Sequence, residues 1–318
     1  MNILITGLAG FIGSHMAEYL VNKDFKVDGI DNFNPYYSKK LKRINAKNLT
    51  KYGIKVFEGD LNDNKTYEEL SLNYQFIIHF AAQPGISASS SFESYLQNNF
   101  IATQRLIEFA KQQKQLVQFI NISTSSVYGE FATKSETALP QPTSHYGVTK
   151  LAAEQLVLAE ARKNEFKACS LRLYSVYGPR ERPDKLYTKL IKSGLKNEKF
   201  PLFEGSKAHK RSFTYVDDIV KGIYLCLKSY KKTNLEIINI GHNQQETTEN
   251  GILYVEELLK KHISLEIKPP READQKETVA DISKAKDLLG YSPKTDLKEG
   301  LKQQIEWYKE ITEKYGEL

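Results

Sequence analysis

Three residues near the middle of the chain have the types and spacing needed for acid–base chemistry on a substrate hydroxyl. Tyr146 and Lys150 are four residues apart, so on a helix they lie on one face. A tyrosine in water has a pKa of about 10, too high for a base at neutral pH, but a nearby Lys cation and a nicotinium charge would lower that pKa by stabilising the phenolate. Thr124 ends a predicted strand 22 residues before Tyr146, so its hydroxyl could reach the same substrate oxygen. The set predicts proton removal from a hydroxyl whose carbon loses hydride.

A second group of residues, at the amino-terminal end, predicts a nucleotide site. Gly7, Gly10 and Gly13 follow a predicted strand and open a predicted helix. Glycines allow a tight turn and a close approach of the backbone to a pyrophosphate, which the N–H groups of a helix N-terminus bind. Asp31 ends the second predicted strand, where a carboxylate accepts hydrogen bonds from ribose hydroxyls and repels a 2′-phosphate. The pattern predicts NAD rather than NADP, and it favours the catalytic interpretation of Tyr146 over an exposed Tyr/Lys pair.

The elements that would position these residues alternate along the first half of the chain. The β-rich runs predict six strands: Asn2–Thr6, Phe25–Ile30, Ile54–Glu58, Phe76–Phe80, Gln118–Ile122 and Ala168–Leu173. Helical patterns such as Gly13–Asn22 and Asn98–Gln113 lie between them. The alternation predicts an α/β fold with a Rossmann-type, doubly wound parallel sheet, which binds ligands beyond the carboxyl ends of its strands.

The second half of the chain predicts a smaller, mixed α/β lobe. Its last third contains three helical, charged segments: Tyr254–Lys261, Ser283–Leu289 and Leu297–Tyr315. We expect residues 1–173 to form the NAD-binding domain and residues 174–318 the substrate-binding lobe. A helix beginning near Val216 and a strand at Glu236–Ile240 indicate that residues 212–241 return to the first domain.

Composition excludes several other classes of protein. The chain has 318 residues, 40% hydrophobic and 26% charged, which is ordinary for a globular protein. The two cysteines have no metal or redox spacing, and we identify no signal peptide, so we expect a cytoplasmic enzyme without a metal. No apolar run is long enough to predict a membrane span. A net charge of +6 without interleaved aromatic and basic residues argues against nucleic acid. The basic run at residues 39–43 is either a solvated helix face or an attraction for an anionic ligand.

The ordered series of motifs resembles the extended short-chain dehydrogenases/reductases, and among them the NAD-dependent epimerases and dehydratases that act on nucleotide sugars. The resemblance covers nearly the whole chain. It implies that Tyr146, Lys150 and Thr124 are catalytic. The cofactor-binding residues that it implies are Gly7, Gly10, Phe11, Ile12, Gly13, Asp31, Asn32, Asp60, Leu61, Ala81, Ala82, Asn99, Ser123, Tyr146 and Lys150. Taken singly, Asp60 would be a loop residue, Ala81 and Ala82 core packing, and Asn99 a helix cap.

Three later segments, 171–183, 211–218 and 271–285, resemble the nucleotide-sugar lobe of that family. By this resemblance Arg211 and Arg271 contact the diphosphate and Asp274 contacts the ribose of the nucleotide. An arginine presents several donors to phosphate oxygens, although a surface charge is the simpler interpretation of any single one. The predicted substrate-binding residues are Ser125, Ser126, Ser175, Arg182, Arg211, Arg271 and Asp274.

The two residues after Thr124 favour one reaction. The 4,6-dehydratases of the family carry Asp and Glu there, and the decarboxylating relatives usually carry a Glu, whereas this chain has Ser125 and Ser126. Elimination therefore lacks its acid/base pair, while inversion at C4 needs only Tyr146 and bound NAD. We expect a nucleotide-sugar 4-epimerase. The next hypothesis is a dehydratase or a 4-ketoreductase, and a 4-ketoreductase would consume added reduced cofactor. The third hypothesis is a non-catalytic NAD-binding regulator.

Within the epimerases, residues 31–43, 81–85, 124–126 and 180–184 look like the UDP-glucuronate 4-epimerases. This implies interconversion of UDP-glucuronate and UDP-galacturonate through a 4-keto intermediate, by a homodimer whose interface contains the helices around Asn98–Gln113 and Tyr146–Lys163. Ser87 stands where that subfamily commonly has Arg, and Ser175 where it has Thr. Thr278 is small where some relatives have a bulky residue that limits the C2 substituent, so UDP-N-acetylglucosamine or UDP-glucose is the alternative substrate.

Overall fold

The computed structural model describes residues 1–85, 90–270 and 275–318. These residues form β-strands β1 (Asn2–Thr6), β2 (Lys26–Asp31), β3 (Lys55–Glu58), β4 (Phe76–His79), β5 (Gln118–Thr124), β6 (Phe131–Ala132), β7 (Ala168–Leu173), β8 (Val176–Tyr177), β9 (Phe200–Phe203), β10 (Lys210–Arg211), β11 (Thr214–Tyr215), β12 (Ile237–Ile240), β13 (Glu246–Thr247), β14 (Leu265–Lys268) and β15 (Glu277–Thr278). They also form α-helices α1 (Phe11–Val21), α2 (Lys39–Thr50), α3 (Lys65–Glu68), α4 (Phe92–Tyr95), α5 (Ala102–Lys111), α6 (His145–Arg162), α7 (Leu186–Lys196), α8 (Val216–Lys228), α9 (Thr248–Leu259), α10 (Ser283–Leu289) and α11 (Leu297–Tyr315). A π-helical turn covers Leu96–Ile101, and 3-10 turns cover Ser125–Tyr128 and Ser206–Ala208.

Seven parallel strands form the central sheet, in the order β12-β7-β5-β4-β1-β2-β3. The order reverses at β1, which has β2 on one side and β4 on the other. Ligands of doubly wound sheets bind at such a reversal, beyond the carboxyl ends of the strands. The Rossmann-type α/β fold expected from the sequence is confirmed.

The sequence of the central strands explains why they are buried on both faces. Ile3 and Ile5 pack in one hydrophobic cluster, while Leu4 packs in a second cluster on the opposite face. Successive side chains of a strand point to opposite faces, so near-continuous apolar runs are what a parallel sheet covered by helices requires. Every residue of β4 and β5 is buried.

Most predicted element bounds lie within a few residues of the observed ones, and those of β1, β7, α10 and α11 are identical. The start of the helix predicted at Tyr254–Lys261 is wrong. Helix α9 begins at Thr248, because the Thr247 hydroxyl accepts a hydrogen bond from the Asn250 N–H and caps the helix there. The last third is also less helical than predicted, since it contributes β13, β14 and β15.

The remaining strands form three small sheets, β13-β10-β15-β6, β11-β8 and β14-β9. Strand β12 lies in the central sheet beside β7, and α8 packs against α1. Both elements come after strands of the small sheets in the chain. Within the described ranges, no helix is both long enough and apolar enough to cross a membrane.

A fully buried ion pair joins α6 to the central sheet. Glu154 and Arg172 are 0% and 1% exposed. Arg172 donates from Nη2 to one carboxylate oxygen at 2.6 Å and from Nε to the other at 3.1 Å. The Ser170 hydroxyl adds a third hydrogen bond at 3.1 Å, and the guanidinium lies 4.7 Å from the ring centroid of Tyr128. The carboxylate therefore has an additional hydrogen bond that helps a buried ion pair to be tolerated, while Arg172 Nη1 has no hydrogen-bond partner among the described residues.

Removing the charge of Glu154 should destabilise the protein strongly. Glu154→Gln leaves the Arg172 cation buried without a counter-charge, so we expect the free energy of unfolding, measured with a denaturant, to fall by about 3–5 kcal/mol. Glu165→Gln removes an exposed carboxylate and is the matched control; it should change stability by less than about 0.5 kcal/mol. Similar losses in the two variants would contradict the structural role of the pair.

Candidate active site

A glycine turn joins β1 to α1 at the carboxyl edge of the sheet. Gly7 has a φ of 68°, and a Cβ atom there would lie 2.8 Å from the Ala81 nitrogen. A Cβ atom at Gly13 would lie 2.4 Å from the Gly7 carbonyl oxygen. Helix α1 starts after Gly10 without a side-chain cap, so its first N–H groups point at a glycine-lined approach suited to a pyrophosphate. Phe11 and Ile12 form its first turn and pack partly against the core.

Asp31 lies at the end of β2 beside this turn and is 7% exposed. Its carboxylate accepts hydrogen bonds from the Ala9 N–H at 3.1 Å and the Phe33 N–H at 2.8 Å. Burial raises the pKa of Asp31, and the charge of Lys42 and these two hydrogen bonds oppose the increase. The carboxylate is thus fixed in orientation and retains lone pairs for a ribose hydroxyl.

The basic run in α2 is a solvated face apart from one buried lysine. Lys42 is buried and donates to the Asn34 carbonyl oxygen at 2.9 Å, and it lies 4.4 Å from the ring centroid of Tyr37. Arg43 stacks at 3.7 Å from the ring centroid of Phe33. Lys39, Lys40 and Arg43 are exposed, so the run is mostly a solvated face, and only Lys42 among its four cations is buried. The fold brings two cations, Lys42 and Arg43, near Asp31, where their charges oppose the increase in its pKa.

Asn32 and Asp60 form a polar pair where β2 ends and the chain leaves β3. The Asn32 amide donates to Asp60 at 3.0 Å, and the Asn62 N–H donates to the other carboxylate oxygen at 2.8 Å. Leu61 is buried in the core beneath them. The contact of Asp60 with an adenine, which the resemblance implies, stays a prediction.

The proposed catalytic residues meet at the carboxyl end of β5 and the start of α6. The side chains of Tyr146 and Thr124 are close enough for Thr124 to lower the pKa of the Tyr146 phenol. The Thr124 hydroxyl also caps the following 3-10 turn by accepting the Ser126 N–H at 3.1 Å. Burial raises the pKa of Tyr146, while the Thr124 side chain and the charge of Arg182 oppose that shift. The lowered tyrosine pKa expected from the sequence is thus not a property of the protein alone.

Lys150 lies one helical turn after Tyr146 and is 2% exposed. Burial lowers the pKa of its ammonium to about 8, and Glu154, one turn further along α6, opposes the shift. Within the described part of the chain the ammonium makes no hydrogen bond. A buried donor of this kind calls for an acceptor from outside the protein, such as a ribose hydroxyl.

Asn99 is fully buried in the π-helical turn and bridges two parts of the site. Its side-chain carbonyl oxygen, Oδ1, accepts the Gln83 N–H at 2.7 Å, and its side-chain amide nitrogen, Nδ2, donates to the Thr149 hydroxyl on α6 at 3.0 Å. The side chain therefore connects the backbone after Ala81 and Ala82 to the helix that carries Lys150. π-Helical turns often occur at functional sites, and here the turn directs a buried amide inward.

The serines around Thr124 differ in their surroundings. The Ser123 hydroxyl is buried and has no hydrogen-bond partner among the described residues, which fits a cofactor contact. Ser125 is buried, whereas Ser126 and Ser175 are half-buried. These hydroxyls are neutral at physiological pH, so they can hydrogen-bond a sugar but cannot act as carboxylates would.

Two of the predicted substrate-binding arginines, Arg182 and Arg211, lie within the described residues. Arg182 is 7% exposed and forms a bidentate pair with Asp184 at 3.0 and 2.7 Å. Arg211 on β10 is half-buried and donates to the Gln275 carbonyl oxygen at 2.7 Å. Sequence analysis did not single out Lys185, which follows Asp184 and is exposed. A lysine after an Arg-Pro-Asp run gives no distinctive sequence signal.

Three residues named from the sequence, Ser87, Arg271 and Asp274, lie outside the described residues. Thr278 is fully buried in β15, and its hydroxyl accepts the Ser212 N–H at 3.3 Å. The expectation that Thr278 leaves room for a C2 substituent stays a prediction. Among the described residues, no group of three or more His, Cys, Asp or Glu could hold a metal ion.

Sequence analysis also missed a buried polar group beneath the site, formed by Thr6, His79 and Thr103. All three side chains are 0% exposed. His79 contacts the Thr6 hydroxyl at 2.7 Å and the Thr103 hydroxyl at 2.9 Å. The signal that could have identified it is a histidine at the end of an otherwise apolar strand.

The residues present fit NAD. The glycine turn has no room for a Cβ at Gly7 or Gly13, Asp31 is oriented for a ribose, and the Ser123 hydroxyl and Lys150 ammonium lack hydrogen-bond partners within the described chain. The catalytic pair lies over the same edge of the sheet as the glycine turn. The arrangement suits redox chemistry at a sugar alcohol.

Known proteins resemble this chain over almost its full length. A family model described as GDP-mannose 4,6 dehydratase matches residues 4–304. UDP-glucuronate 4-epimerase 4 of Arabidopsis thaliana is 34% identical, over 97% of this chain and 75% of that protein. A Bacillus subtilis protein described as an uncharacterized UDP-glucose epimerase is 38% identical, over 96% of this chain and 97% of that protein.

Solved structures show the same similarity. The crystal structure of UDP-glucuronic acid 4-epimerase from Bacillus cereus in complex with UDP-glucuronic acid and NAD has a TM-score of 0.92 and 37% identity, and the match covers 98% of this chain and 100% of that chain. UDP-glucose 4-epimerase from Thermotoga maritima with UDP-glucose has a TM-score of 0.87 and 30% identity, over 98% and 99% of the two chains. The chain belongs to the GDP-mannose 4,6-dehydratase family, the epimerase and dehydratase branch of the extended short-chain dehydrogenases/reductases.

Proposed function

We propose that this protein is an NAD-dependent UDP-sugar 4-epimerase and that its substrate pair is UDP-glucuronate and UDP-galacturonate. The observation that carries the proposal is the Tyr146–Thr124 pair beside a buried Lys150, combined with serines where elimination needs carboxylates. The relatives named above support the choice of UDP-glucuronate.

The protein residues have distinct tasks in this reaction. Bound NAD supplies the hydride acceptor and donor at the sugar carbon. Tyr146 removes the proton of the C4 hydroxyl and returns it after the 4-keto sugar has turned over in the pocket. Thr124 orients the phenol and the same sugar oxygen. Lys150 stabilises the phenolate, since burial by itself raises the pKa of Tyr146.

The serines separate epimerisation from competing reactions. Ser125 and Ser126 provide no acid or base at C5 and C6, so dehydration has no catalyst there. With Ser175, their hydroxyls could hold a C5 carboxylate away from the alignment that favours decarboxylation, in which the breaking bond lies parallel to the carbonyl π-system. A 4-epimerase therefore fits these positions better than a dehydratase.

We assign the remaining residues in the same way. Residues 1–173, with 212–241, form the NAD-binding domain in this proposal, and the rest of 174–318 binds the substrate. The cofactor contacts are those of the glycine turn, Asp31, Asn32, Asp60 and the strand ends described above. Arg182, Arg211, Arg271 and Asp274 hold the nucleotide sugar.

The direct test is incubation with UDP-glucuronate and no added reductant. We expect UDP-galacturonate to accumulate until the two sugars reach equilibrium, because the reaction neither consumes nor produces reduced cofactor overall. NMR of the anomeric protons measures both species.

Other outcomes of this experiment discriminate among the alternatives. Inversion of UDP-N-acetylglucosamine or UDP-glucose with inert UDP-glucuronate would disprove the substrate and keep the epimerase. A stable 4-keto or unsaturated product would disprove epimerisation and would require a carboxylate that the site as described does not provide.

The role of Tyr146 is tested by Tyr146→Phe. We expect the fold and bound NAD to be retained and turnover to fall about 10²–10⁴-fold, the usual effect of losing a general base. Tyr52→Phe alters an exposed tyrosine and is the matched control. A Tyr146→Phe enzyme with more than about a tenth of the original rate would refute the assignment.

We also propose a homodimer built on α5 and α6. The two helices pack side by side, and Val148 on α6 and the neighbouring Phe92 are 44% and 46% exposed, so this face has apolar surface to bury. Light scattering at micromolar concentration should give twice the mass of one chain. A mass of one chain under these conditions would rule the dimer out.

A further inference from the structure

The buried histidine of β4 lies between two threonine hydroxyls, and every proton in this arrangement can be placed. The Thr103 hydroxyl donates to the backbone carbonyl oxygen of Asn99 at 2.6 Å, so the only proton of this hydroxyl is used. His79 must therefore donate from Nε2 to Thr103, across 2.9 Å. Thr103 itself lies in α5, directly after the π-helical turn.

The protonation state of Nδ1, on the other side of the ring, follows from the donors and acceptors around Thr6. The Thr6 hydroxyl oxygen accepts the Ala81 N–H at 3.2 Å and lies 2.7 Å from His79 Nδ1. With Nε2 protonated, a neutral ring accepts at Nδ1, and the Thr6 hydroxyl donates to it. A protonated ring would leave the Thr6 proton without an acceptor among the described residues.

Electrostatics agrees with a neutral ring. His79 is 0% exposed, and burial, with the charge of Lys150 as a second cause, lowers its pKa to about 3. A second cation beneath Lys150 would compete with it for the same counter-charge. A neutral histidine satisfies both hydroxyls without adding positive charge to the site.

The hydrogen bonds form a continuous path between the cofactor side and the catalytic helix. The path starts at the Ala81 N–H, passes through Thr6, His79 and Thr103, and ends at Asn99. Asn99 in turn bonds Thr149, the residue before Lys150. Buried networks in which every member is satisfied rigidify the groups that they connect.

We propose that His79 is a positioning residue for the catalytic groups: as its neutral Nε2–H tautomer, it fixes the π-helical turn relative to the strand ends that receive the cofactor. The proposal rests on the proposed function only for its effect on turnover. Its effect on the ring itself is independent of any activity.

The tautomer is tested by NMR on protein labelled with ¹⁵N in histidine. The His79 signals, identified by their loss in His79→Phe, should show a protonated Nε2 and an unprotonated Nδ1 with no titration from about pH 5 to 8, where an ordinary histidine changes charge. A protonated Nδ1, or titration in that range, would overturn the proposal even if the protein proves to be an epimerase.

The effect on turnover is tested with a pair of buried threonines. Thr103→Val removes the acceptor of His79, whereas Thr233→Val removes an equally buried hydrogen bond, 2.8 Å from Gln118, at the opposite end of the sheet. If the path positions the catalytic groups, kcat should fall roughly 10- to 100-fold in Thr103→Val, as expected for a misplacement of about 1 Å. The KM for the sugar should change little, and Thr233→Val should retain kcat within about twofold.

The outcomes can be told apart. Equal losses of kcat in the two variants, at equal thermal stability, would show that His79 has only a structural role. If the unaltered protein inverts none of the UDP-sugars tested, the proposed function fails, and the NMR measurement still decides the state of His79.

Discussion

The buried ammonium of Lys150 is the constraint on which the arrangement around the site depends. A cation at 2% exposure is costly unless the protein compensates for it nearby. Glu154 provides the opposing charge one helical turn away, and its own burial is made tolerable by Arg172 and Ser170. The catalytic helix is therefore joined to β7 by electrostatics as well as by packing.

At the same edge of the sheet, the backbone segments around the glycine turn lie so close together that no Cβ atom fits between them. This leaves the backbone open to the cofactor. Gly13 approaches Gly7 so closely that any side chain would collide, and the hydroxyl of Thr6 ties the next strand end to β1. The glycine turn and Tyr146 are far apart in sequence but lie at the same edge of the sheet, because all central strands run in parallel. In the proposed function, this topology puts nucleotide binding and proton transfer at one edge of the sheet.

The sequence was sufficient for features that depend on local spacing. The glycine turn, Asp31 at a strand end and the helical Tyr146–Lys150 pair are all encoded within short segments. The burial of Lys42 and the network of His79 could not be read in this way, because each depends on contacts between residues distant in the chain. The burial that raises the pKa of Tyr146 could not be read from the sequence for the same reason, because it is a property of the assembled fold.

The central claim is that the chemistry is confined to C4 of the sugar, since the site has serines in place of a base for C5. Reaction of unlabelled UDP-glucuronate in D₂O tests it most directly, with mass spectrometry and NMR of the carbon-bound positions of the product. We expect UDP-galacturonate without deuterium at C4 or C5, because hydrogen leaves and returns to C4 as hydride. Deuterium at C5 would contradict it, since a base would then be acting at that carbon.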